Sequence, residues 1–326
     1  MITKKILHWY DNNKRVLPWR NKCSAKQKEY YTIISEFMLQ QTQVATVIPY
    51  FVNFTKNIPN IQSLAKINER KLLNYWQGLG YYSRAKNLKK SANIILKNYN
   101  GRLPNNFDEL KKLPGIGDYT ANAILAIVFN KPIIPLDGNI ERVLKRILYL
   151  KTEKQVQKKN LLRLKKIFGK TNRSSDYAQA LMELGALVCK PKQPLCENCP
   201  ITKLCLSYKK QNFELIRKEK KLINKFYVVT LYKNNNKFLL IKNHKFKFLK
   251  NLLIFPMKEI INPNFMLKYK NKINLKMSNM NMNIFIESLK SKSKLKNSLW
   301  ISKKNMKHHM LPTFTKKIFS YTENIL

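Results

Sequence analysis

The chain has 326 residues, 44% of them hydrophobic, which is enough for two domains with cores of their own. Its formal net charge of +45, from 63 Lys and Arg against 18 Asp and Glu, indicates a polyanionic partner such as nucleic acid. A general bias toward Lys, Asn and Ile could supply part of that charge. No apolar run reaches the roughly 18 residues of a membrane span, and residues 1–5 lead into a polar segment, so we expect a soluble, cytoplasmic protein.

Helical periodicity runs through the first 208 residues. Apolar residues recur at the spacing of a helix face over 30–38 and over 140–148, which predicts two amphipathic helices there. Glu36 lies on the first of them among apolar neighbours. Partial burial would raise the pKa of this carboxyl and let it act as a general acid, whereas an exposed helix glutamate is the plain alternative.

Glutamines follow Glu36 closely, at Gln40, Gln41 and Gln43. Their side-chain amides suit hydrogen bonds to the edges of nucleic-acid bases better than they suit a core. The end of this helix is therefore a candidate site of contact with bases.

The segment Leu113–Thr120 lies between a short predicted helix at 107–112 and a longer apolar helix at 121–129. A helix, a tight glycine hairpin and a second helix would point backbone N–H groups outward, toward a DNA phosphate. A Cβ at Gly115 or Gly117 would block that approach. An ordinary turn between helices is the alternative when this segment is considered alone.

Asp137 stands immediately before the helix predicted to begin at Ile140. It is a candidate N-cap, which is the common use of Asp at that place. The same position favours the ionised carboxylate, because the helix dipole and free N–H groups attract negative charge. An anion fixed there could stabilise a positively charged sugar transition state.

Four cysteines follow with the spacing C-x6-C-x2-C-x5-C, at Cys189, Cys196, Cys199 and Cys205. The spacing favours a [4Fe-4S] cluster, for which four thiolates are the usual ligands. Zinc is the rival, although zinc ribbons usually present two C-x2-C pairs. Disulfides are the remaining alternative and do not suit a cytoplasmic chain. The fifth cysteine, Cys23, has no evident partner.

A change of periodicity marks the last third of the chain. Residues 209–225 are charged and predict a linker, and two β-prone runs at 226–232 and 237–241 predict a hairpin. Beyond them, only a helix near 313–321 is predicted from the pattern. From residue 226 onward Glu259, Glu287 and Glu323 are the only acidic residues, too few for a Mg²⁺-binding glutamate helix.

Taken in order, these motifs resemble the adenine DNA glycosylases of the helix-hairpin-helix superfamily. The resemblance covers about the first 208 residues and depends on Leu17–Arg20, Glu36–Tyr50, Gly78–Tyr82, Leu113–Thr120, Leu136–Asn139, Met182–Ala186 and the four cysteines. The related endonuclease III branch begins the second helix of its hairpin with a lysine that attacks the sugar. Here that position is Tyr119, which implies a monofunctional glycosylase rather than a glycosylase with lyase activity.

The resemblance implies a role for each site residue. Glu36 would protonate the flipped adenine, and Asp137 would stabilise the oxocarbenium-like sugar or trap it covalently. Water would then complete the reaction and leave an abasic site. The implied catalytic residues are Glu36, Asp137, Tyr119 and Asn139. The implied contacts to adenine and DNA are Arg15, Trp19, Leu39, Gln40, Gln41, Tyr81, Gly115, Gly117, Glu183 and Ser278.

The resemblance also implies a mainly α, two-lobed fold with a small α+β domain at its end. Residues 1–24 and 131–208 would form the iron-sulfur cluster lobe, 25–130 a six-helix lobe with the hairpin, and 226–326 a divergent Nudix-like domain that reads 8-oxoguanine. The implied partner is double-stranded DNA with A:8-oxoguanine or A:G mispairs, bound by a monomer. The family's Phe-Ser-His reading loop is reduced here to Met277-Ser278-Asn279. An endonuclease III-like lyase and a non-catalytic DNA-binding protein are the competing interpretations.

Overall fold

The computed structural model describes residues 2–150, 171–214, 222–261, 271–277, 279–290, 298–302, 304–309 and 311–322. Contacts divide the chain into two units, the first formed by Met1–Glu69 and Ser83–Arg217, the second by Arg70–Tyr82 and Lys218–Leu326. Within the described ranges, no helix combines the length and apolar character of a membrane span.

The described part of the first unit is helical, as the periodicity predicted. Its helices are α1 (Ile2–Asn13), α2 (Ala25–Leu39), α3 (Val44–Asn57), α4 (Ile61–Lys66), the first residue of α5 (Glu69–Tyr75), α6 (Ser83–Asn98), α7 (Phe107–Lys112), α8 (Asp118–Ile127), α9 (Gly138–Ile147), α10 (Ser174–Glu183) and α11 (Leu206–Lys209). A 3-10 turn spans Pro18–Arg20, and a π-helical turn, Leu184–Val188, follows α10.

The central helix of this unit is α2, which packs against α3, α6 and α8. Its apolar residues Ile33, Ile34, Phe37 and Met38 are fully buried, as their spacing predicted. Its polar residues Thr32, Ser35 and Glu36 are buried as well, so the helix is shielded on nearly every side. Glu36 is therefore withdrawn from water by the packing of a whole helix.

A second core joins α1 to α9, α10 and the π-helical turn. Ile6 and Tyr10 from the beginning of the chain pack with Ile140, Leu144 and Leu181. The burial of Ile140 and Leu144 confirms the predicted apolar face of α9, although the helix begins two residues earlier, at Gly138. This core ends beside the cysteine segment, because Cys189 and Cys199 pack against it.

The second unit contains a mixed sheet. Its strands are β1 (Ile223–Asn234), β2 (Lys237–Lys242), β3 (Leu253–Ile254), β4 (Met257–Ile260), β5 (Asn271–Met277), β6 (Met280–Lys290) and β7 (Ser298–Ser302). The order is β3-β2-β1-β6-β5, with β4 paired to β1 and β7 to β2. The predicted hairpin is confirmed by the antiparallel pairing of β1 and β2, but β1 begins within the predicted linker. The helix α12 (Thr313–Thr322), also predicted, covers one face through Phe314, Ile318 and Phe319.

Candidate active site

A pocket of about 710 Å³ lies in the first unit. Glu36 from α2, Tyr119 from α8 and Asp137 before α9 line it together. Seven other predicted site residues line the same pocket: Arg15, Trp19, Leu39, Gln40, Gln41, Asn139 and Glu183. The fold thus brings together side chains that are as far apart in sequence as Arg15 and Glu183.

Glu36 is a buried acid, 5% exposed. Burial raises its pKa to about 7, and the negative charge of Asp137 acts in the same direction. A hydrogen bond with Tyr119 and the positive charge of Arg20 oppose the rise. Because the pKa lies near neutrality, a substantial fraction of the carboxyl carries a proton at pH 7, as a general acid requires.

Tyr119 lies in the first turn of α8 and shares a hydrogen bond with Glu36. Burial raises the pKa of the phenol well above its usual value, and the charges of Glu36 and Asp137 add to the rise. The phenol therefore stays protonated and is a hydrogen-bond donor beside both carboxylates. It has no amine with which to form an imine with a sugar.

The two glycines of the hairpin have different structural roles. Gly115 has a φ of +86°, and a Cβ there would lie 2.7 Å from the ring of Phe37, so it is required by the packing of the hairpin on α2. Gly117 is the N-cap of α8, and a Cβ there would meet nothing within 4 Å. The space in front of Gly117 is open to an external group, which fits the predicted approach of a phosphate.

Asp137 is the N-cap of α9, as predicted. Its Oδ1 accepts a hydrogen bond from the Ile140 backbone N–H at 2.7 Å, and its Oδ2 accepts one from Asn139 Nδ2 at 2.9 Å. Arg142 donates to Asn139 Oδ1 at 2.8 Å and to the Cys189 carbonyl at 2.7 Å. A continuous chain of hydrogen bonds therefore links the Asp137 carboxylate to the first cysteine of the cysteine segment.

Gly185 fixes the other side of this chain of hydrogen bonds. A Cβ there would lie 2.7 Å from Asn139 Cβ and 2.9 Å from the Asn139 carbonyl oxygen. The Gly185 carbonyl also accepts a hydrogen bond from Arg142 at 2.7 Å. Only glycine allows the π-helical turn to approach the start of α9 this closely.

Glu183 is fully buried and binds two arginines. Arg15 donates from Nε and Nη2 to both carboxylate oxygens at 2.8 and 2.9 Å, and Arg20 Nη1 lies 2.9 Å from Oε1. Burial alone would raise the pKa of Glu183, but the two guanidiniums lower it below its usual value. The pocket thus contains one carboxyl held ionised and another, Glu36, held near its titration midpoint.

The end of α2 supplies further lining. Gln40 Nε2 donates to the Gly115 carbonyl at 3.2 Å, which ties the glutamine segment to the hairpin. Gln41 is exposed and has a φ of +59°. Trp19 packs edge-on against Phe51, with ring centroids 5.3 Å apart.

Four predicted residues are not among those that line the pocket: the hairpin glycines Gly115 and Gly117, and also Tyr81 and Ser278. Tyr81 belongs to the second unit, in the loop before α6, where it is 48% exposed with a φ of +46°. Ser278 lies outside the described residues.

The four clustered cysteines, Cys189, Cys196, Cys199 and Cys205, line a second, small cavity of about 30 Å³. All five cysteines of the chain are free thiols. Burial raises the pKa of Cys196 to about 11, and the neighbouring cysteine charges add to the rise. Such thiols need a cationic group to lose their protons, which is what a metal or iron-sulfur group provides.

The four thiols share one cavity, so they could bind one group together. Among the described residues, no three Cys, His, Asp or Glu side chains are already arranged to hold a metal ion. Four thiolates are the usual ligands of a four-iron cluster and also form one of the ligand sets of structural zinc.

Arg146 organises the cysteine segment from within. It is 2% exposed and donates to the carbonyls of Lys190 and Pro191 at 2.6 and 2.8 Å. Its Nη1 also lies 3.4 Å from Cys189 Sγ. The loop that follows the first cysteine is therefore held by a buried cation.

Sequence reasoning missed several residues that line the pocket or support its walls. Arg20 was part of a recognised motif but had no assigned role, and its position directly after Trp19 was the available signal. Arg142 stands three residues after Asn139, the spacing at which helix side chains meet. Thr32, Ser35 and Gln179 also line the pocket and lie outside the motifs named above.

Comparison with known proteins identifies relatives of the chain. The profile of the HhH-GPD superfamily base excision DNA repair proteins matches residues 34–166. The adenine DNA glycosylase of Buchnera aphidicola subsp. Schizaphis graminum is 39% identical, over 78% of this chain and 74% of that protein. The adenine DNA glycosylase of subsp. Baizongia pistaciae is 38% identical, over 91% and 84%. A solved structure of a thermostable thymine-DNA glycosylase is similar with a TM-score of 0.57 and 27% identity, over 64% of this chain and 95% of that chain.

Proposed function

Because this chain belongs to the adenine DNA glycosylases, enzymes of base excision repair that hydrolyse the N-glycosyl bond of adenine in DNA, we propose that its substrate is adenine mispaired with 8-oxoguanine or guanine. The product is free adenine and an abasic site. The observation that carries the proposal is the pairing of Glu36, with a pKa near 7, and the capped carboxylate of Asp137 in one pocket.

Glu36 is the proposed general acid. An adenine extruded from the duplex leaves more readily once its ring is protonated, and Glu36 carries a proton to transfer at neutral pH. Its hydrogen bond with Tyr119 restricts the carboxyl to one orientation. The burial that raises the pKa also keeps bulk water from competing for the proton.

Asp137 is the proposed stabiliser of the sugar cation that forms as the bond breaks. The Ile140 N–H and the Asn139 amide hold its two oxygens, so the carboxylate is fixed before the substrate arrives. Tyr119 and Asn139 line the sugar side of the pocket in this scheme. Water then completes the hydrolysis, as in glycosidases that use a pair of carboxylates.

Arg15, Trp19, Leu39 and Glu183 are the proposed surroundings of the flipped adenine. The support is that all four line the pocket that contains Glu36. The bidentate Arg15–Glu183 pair gives this wall a fixed pattern of donors and acceptors. Arg20, which shares Glu183, belongs to the same wall.

Gln40 and Gln41 are proposed to contact the bases at the gap left by the adenine. Tyr81 is proposed to insert into the base stack. Gln41 and Tyr81 are both exposed, as inserted side chains must be in the free protein. Gly115 and Gly117 form the hairpin that binds a phosphate of the same strand. The open space before Gly117 supports this role.

We propose a [4Fe-4S] cluster as the cofactor, held by Cys189, Cys196, Cys199 and Cys205. The free, clustered thiols and the cavity they share fit this group. The cluster would cross-link the segment and supply no electron to the hydrolysis. Lys190 and Lys192, in the loop that Arg146 holds, are well placed to contact a phosphate.

DNA is the partner of this family, and we propose that the chain binds mispaired duplexes as a monomer in the cytoplasm, where its thiols stay reduced. Residues 226–326 are proposed to be a divergent Nudix-like domain that reads 8-oxoguanine, with Ser278 as the remaining hydroxyl of its reading loop. The sheet and covering helix of this unit support an α+β domain.

Duplex cleavage assays test the function. The protein is incubated with duplexes carrying A opposite 8-oxoguanine, A opposite G, or an oxidised pyrimidine, with and without alkali and with borohydride trapping. We expect alkali-dependent breaks at adenine and no efficient trapping. Prompt breaks at pyrimidines would indicate an endonuclease III-like lyase instead, and binding without breaks a non-catalytic DNA-binding protein.

A further inference from the structure

The end of α2 has an uncommon conformation. Helices often close with a glycine in the left-handed region, where a Cβ is unfavourable. Here the residue in that region is Gln41, with a φ of +59°. Something in the surrounding structure must hold this turn.

Arg84 of α6 supplies the contacts. It is 7% exposed, and its guanidinium reaches both sides of Gln41. Nη1 lies within hydrogen-bond distance of the last carbonyls of the helix, and Nη2 donates to the hydroxyl of the residue after the turn. The acceptors are the carbonyls of Phe37, Met38 and Gln40, at 3.1, 2.8 and 2.5 Å from Nη1, and Thr42 Oγ1, at 3.1 Å from Nη2.

This turn is part of the pocket wall. Gln40, Gln41 and Thr42 all line the pocket, and Glu36 stands one turn earlier on the same helix. The guanidinium is planar with a fixed fork of donors, so it can bracket a turn from two sides. A lysine ammonium is a single point charge and cannot.

We propose that Arg84 is a positioning residue for recognition of the mispair: it holds Gln41 in its left-handed conformation, so that this side chain meets the gap opened by the extruded adenine. The inference rests on the proposed function, because Gln41 acts only if an adenine is extruded. Arg84 itself acts through the backbone of the turn.

The test measures how strongly the protein prefers a mispaired duplex to a fully matched one. Dissociation constants are determined for a duplex carrying 2′-fluoro-2′-deoxyadenosine, an analogue that resists cleavage, opposite 8-oxoguanine, and for the fully matched duplex. Base extrusion is followed by the fluorescence of 2-aminopurine beside the mispair. Arg84→Lys is the variant, and Arg102→Lys is the control, since Arg102 pairs with Glu29 in the same unit away from the turn.

We expect Arg84→Lys to lower the ratio of matched to mispaired dissociation constants at least about tenfold, equivalent to about 1.4 kcal/mol. The fluorescence change should fall with it. The pH midpoint of the single-turnover rate, which reports Glu36, should not move. Arg102→Lys should leave the ratio unchanged.

A second variant distinguishes positioning from general stability. Asn adopts the left-handed region more readily than Gln, so Gln41→Asn should recover at least about threefold of the ratio in the Arg84→Lys background. The inference would be overturned if the two changes had strictly additive effects on the ratio of dissociation constants. It would also be overturned if Arg84→Lys, corrected for the concentration of active sites, kept the parent ratio. A parent enzyme that excises no adenine would overturn the proposed function and this inference with it.

Discussion

Replacing Glu36 by Gln should slow the excision of adenine strongly and at the same time stabilise the protein at alkaline pH. The pKa of Glu36 is raised in the folded state from 4.5 to about 7. The stability that the protonated Glu36 contributes to the wild type is therefore fully present below about pH 4.5 and is lost progressively as the pH rises through 7. Gln does not ionise, so the variant escapes that loss.

The magnitude follows from the same numbers. A rise from 4.5 to about 7 corresponds to about 3 kcal/mol, at about 1.36 kcal/mol per pH unit. Glu36→Gln should thus be about 3 kcal/mol more stable than the wild type at pH 9, but less than about 1 kcal/mol more stable at pH 5. The single-turnover rate of the wild type should fall about tenfold per pH unit above 7, and the variant should lose about 10²- to 10⁴-fold.

Urea unfolding at pH 5, 7 and 9 measures the first effect, and single-turnover excision of adenine measures the second. Glu141→Gln is the control, because Glu141 is a partly exposed glutamate of α9 that pairs with Lys145. It should show neither the alkaline gain nor the loss of rate. A Glu36→Gln variant that is folded and keeps the parent rate, or one that is less stable than the wild type at pH 9, would refute the reasoning.

Three further variants address the rest of the site. Gly185→Ala should lower the excision rate at least about tenfold with little change in DNA affinity, because the new Cβ would displace Asn139. Equal rates for variant and wild type in single-turnover assays would contradict this. Cys199→Ser should give a colourless protein with weak DNA binding, and a brown, fully active preparation would refute the proposed cluster. Arg15→Met should destabilise the fold by about 2 kcal/mol in urea unfolding and weaken binding of the adenine analogue. The reason is that Glu183 would keep Arg20 as its only ion-pair partner among the described residues. An unchanged midpoint of urea unfolding would contradict the proposed pocket wall.

Local sequence patterns predicted the parts of the site that depend on one helix or one turn. The apolar neighbours of Glu36 recur at helical spacing, so its burial could be anticipated. Asp137 precedes an amphipathic helix, and it caps that helix in the structure. The short helix before the hairpin has the predicted bounds, Phe107–Lys112.

Contacts between distant segments could not be predicted in this way. Arg84 reaches a turn more than forty residues earlier, and nothing in its local pattern distinguishes it from other arginines on helices. Gly115 is required because a Cβ there would clash with the ring of Phe37, and not only because a Cβ would hinder a phosphate. This requirement depends on how the hairpin packs on α2. The parallel pairing of β1 with β6 likewise requires the whole sheet.

The order in which the ribosome makes the chain has a consequence for the enzyme. Glu36 lies on α2, which packs against α3, α6 and α8, whereas α1 and α8 both pack on α10. Arg15 can pair with Glu183 only after 168 more residues have been made. The helices around Glu36 can form during synthesis, but the wall that carries Asp137 is complete only when α10 has emerged. A nascent chain would therefore contain the proposed general acid before the wall with the proposed anion is complete, and excision of adenine would require a late step of folding.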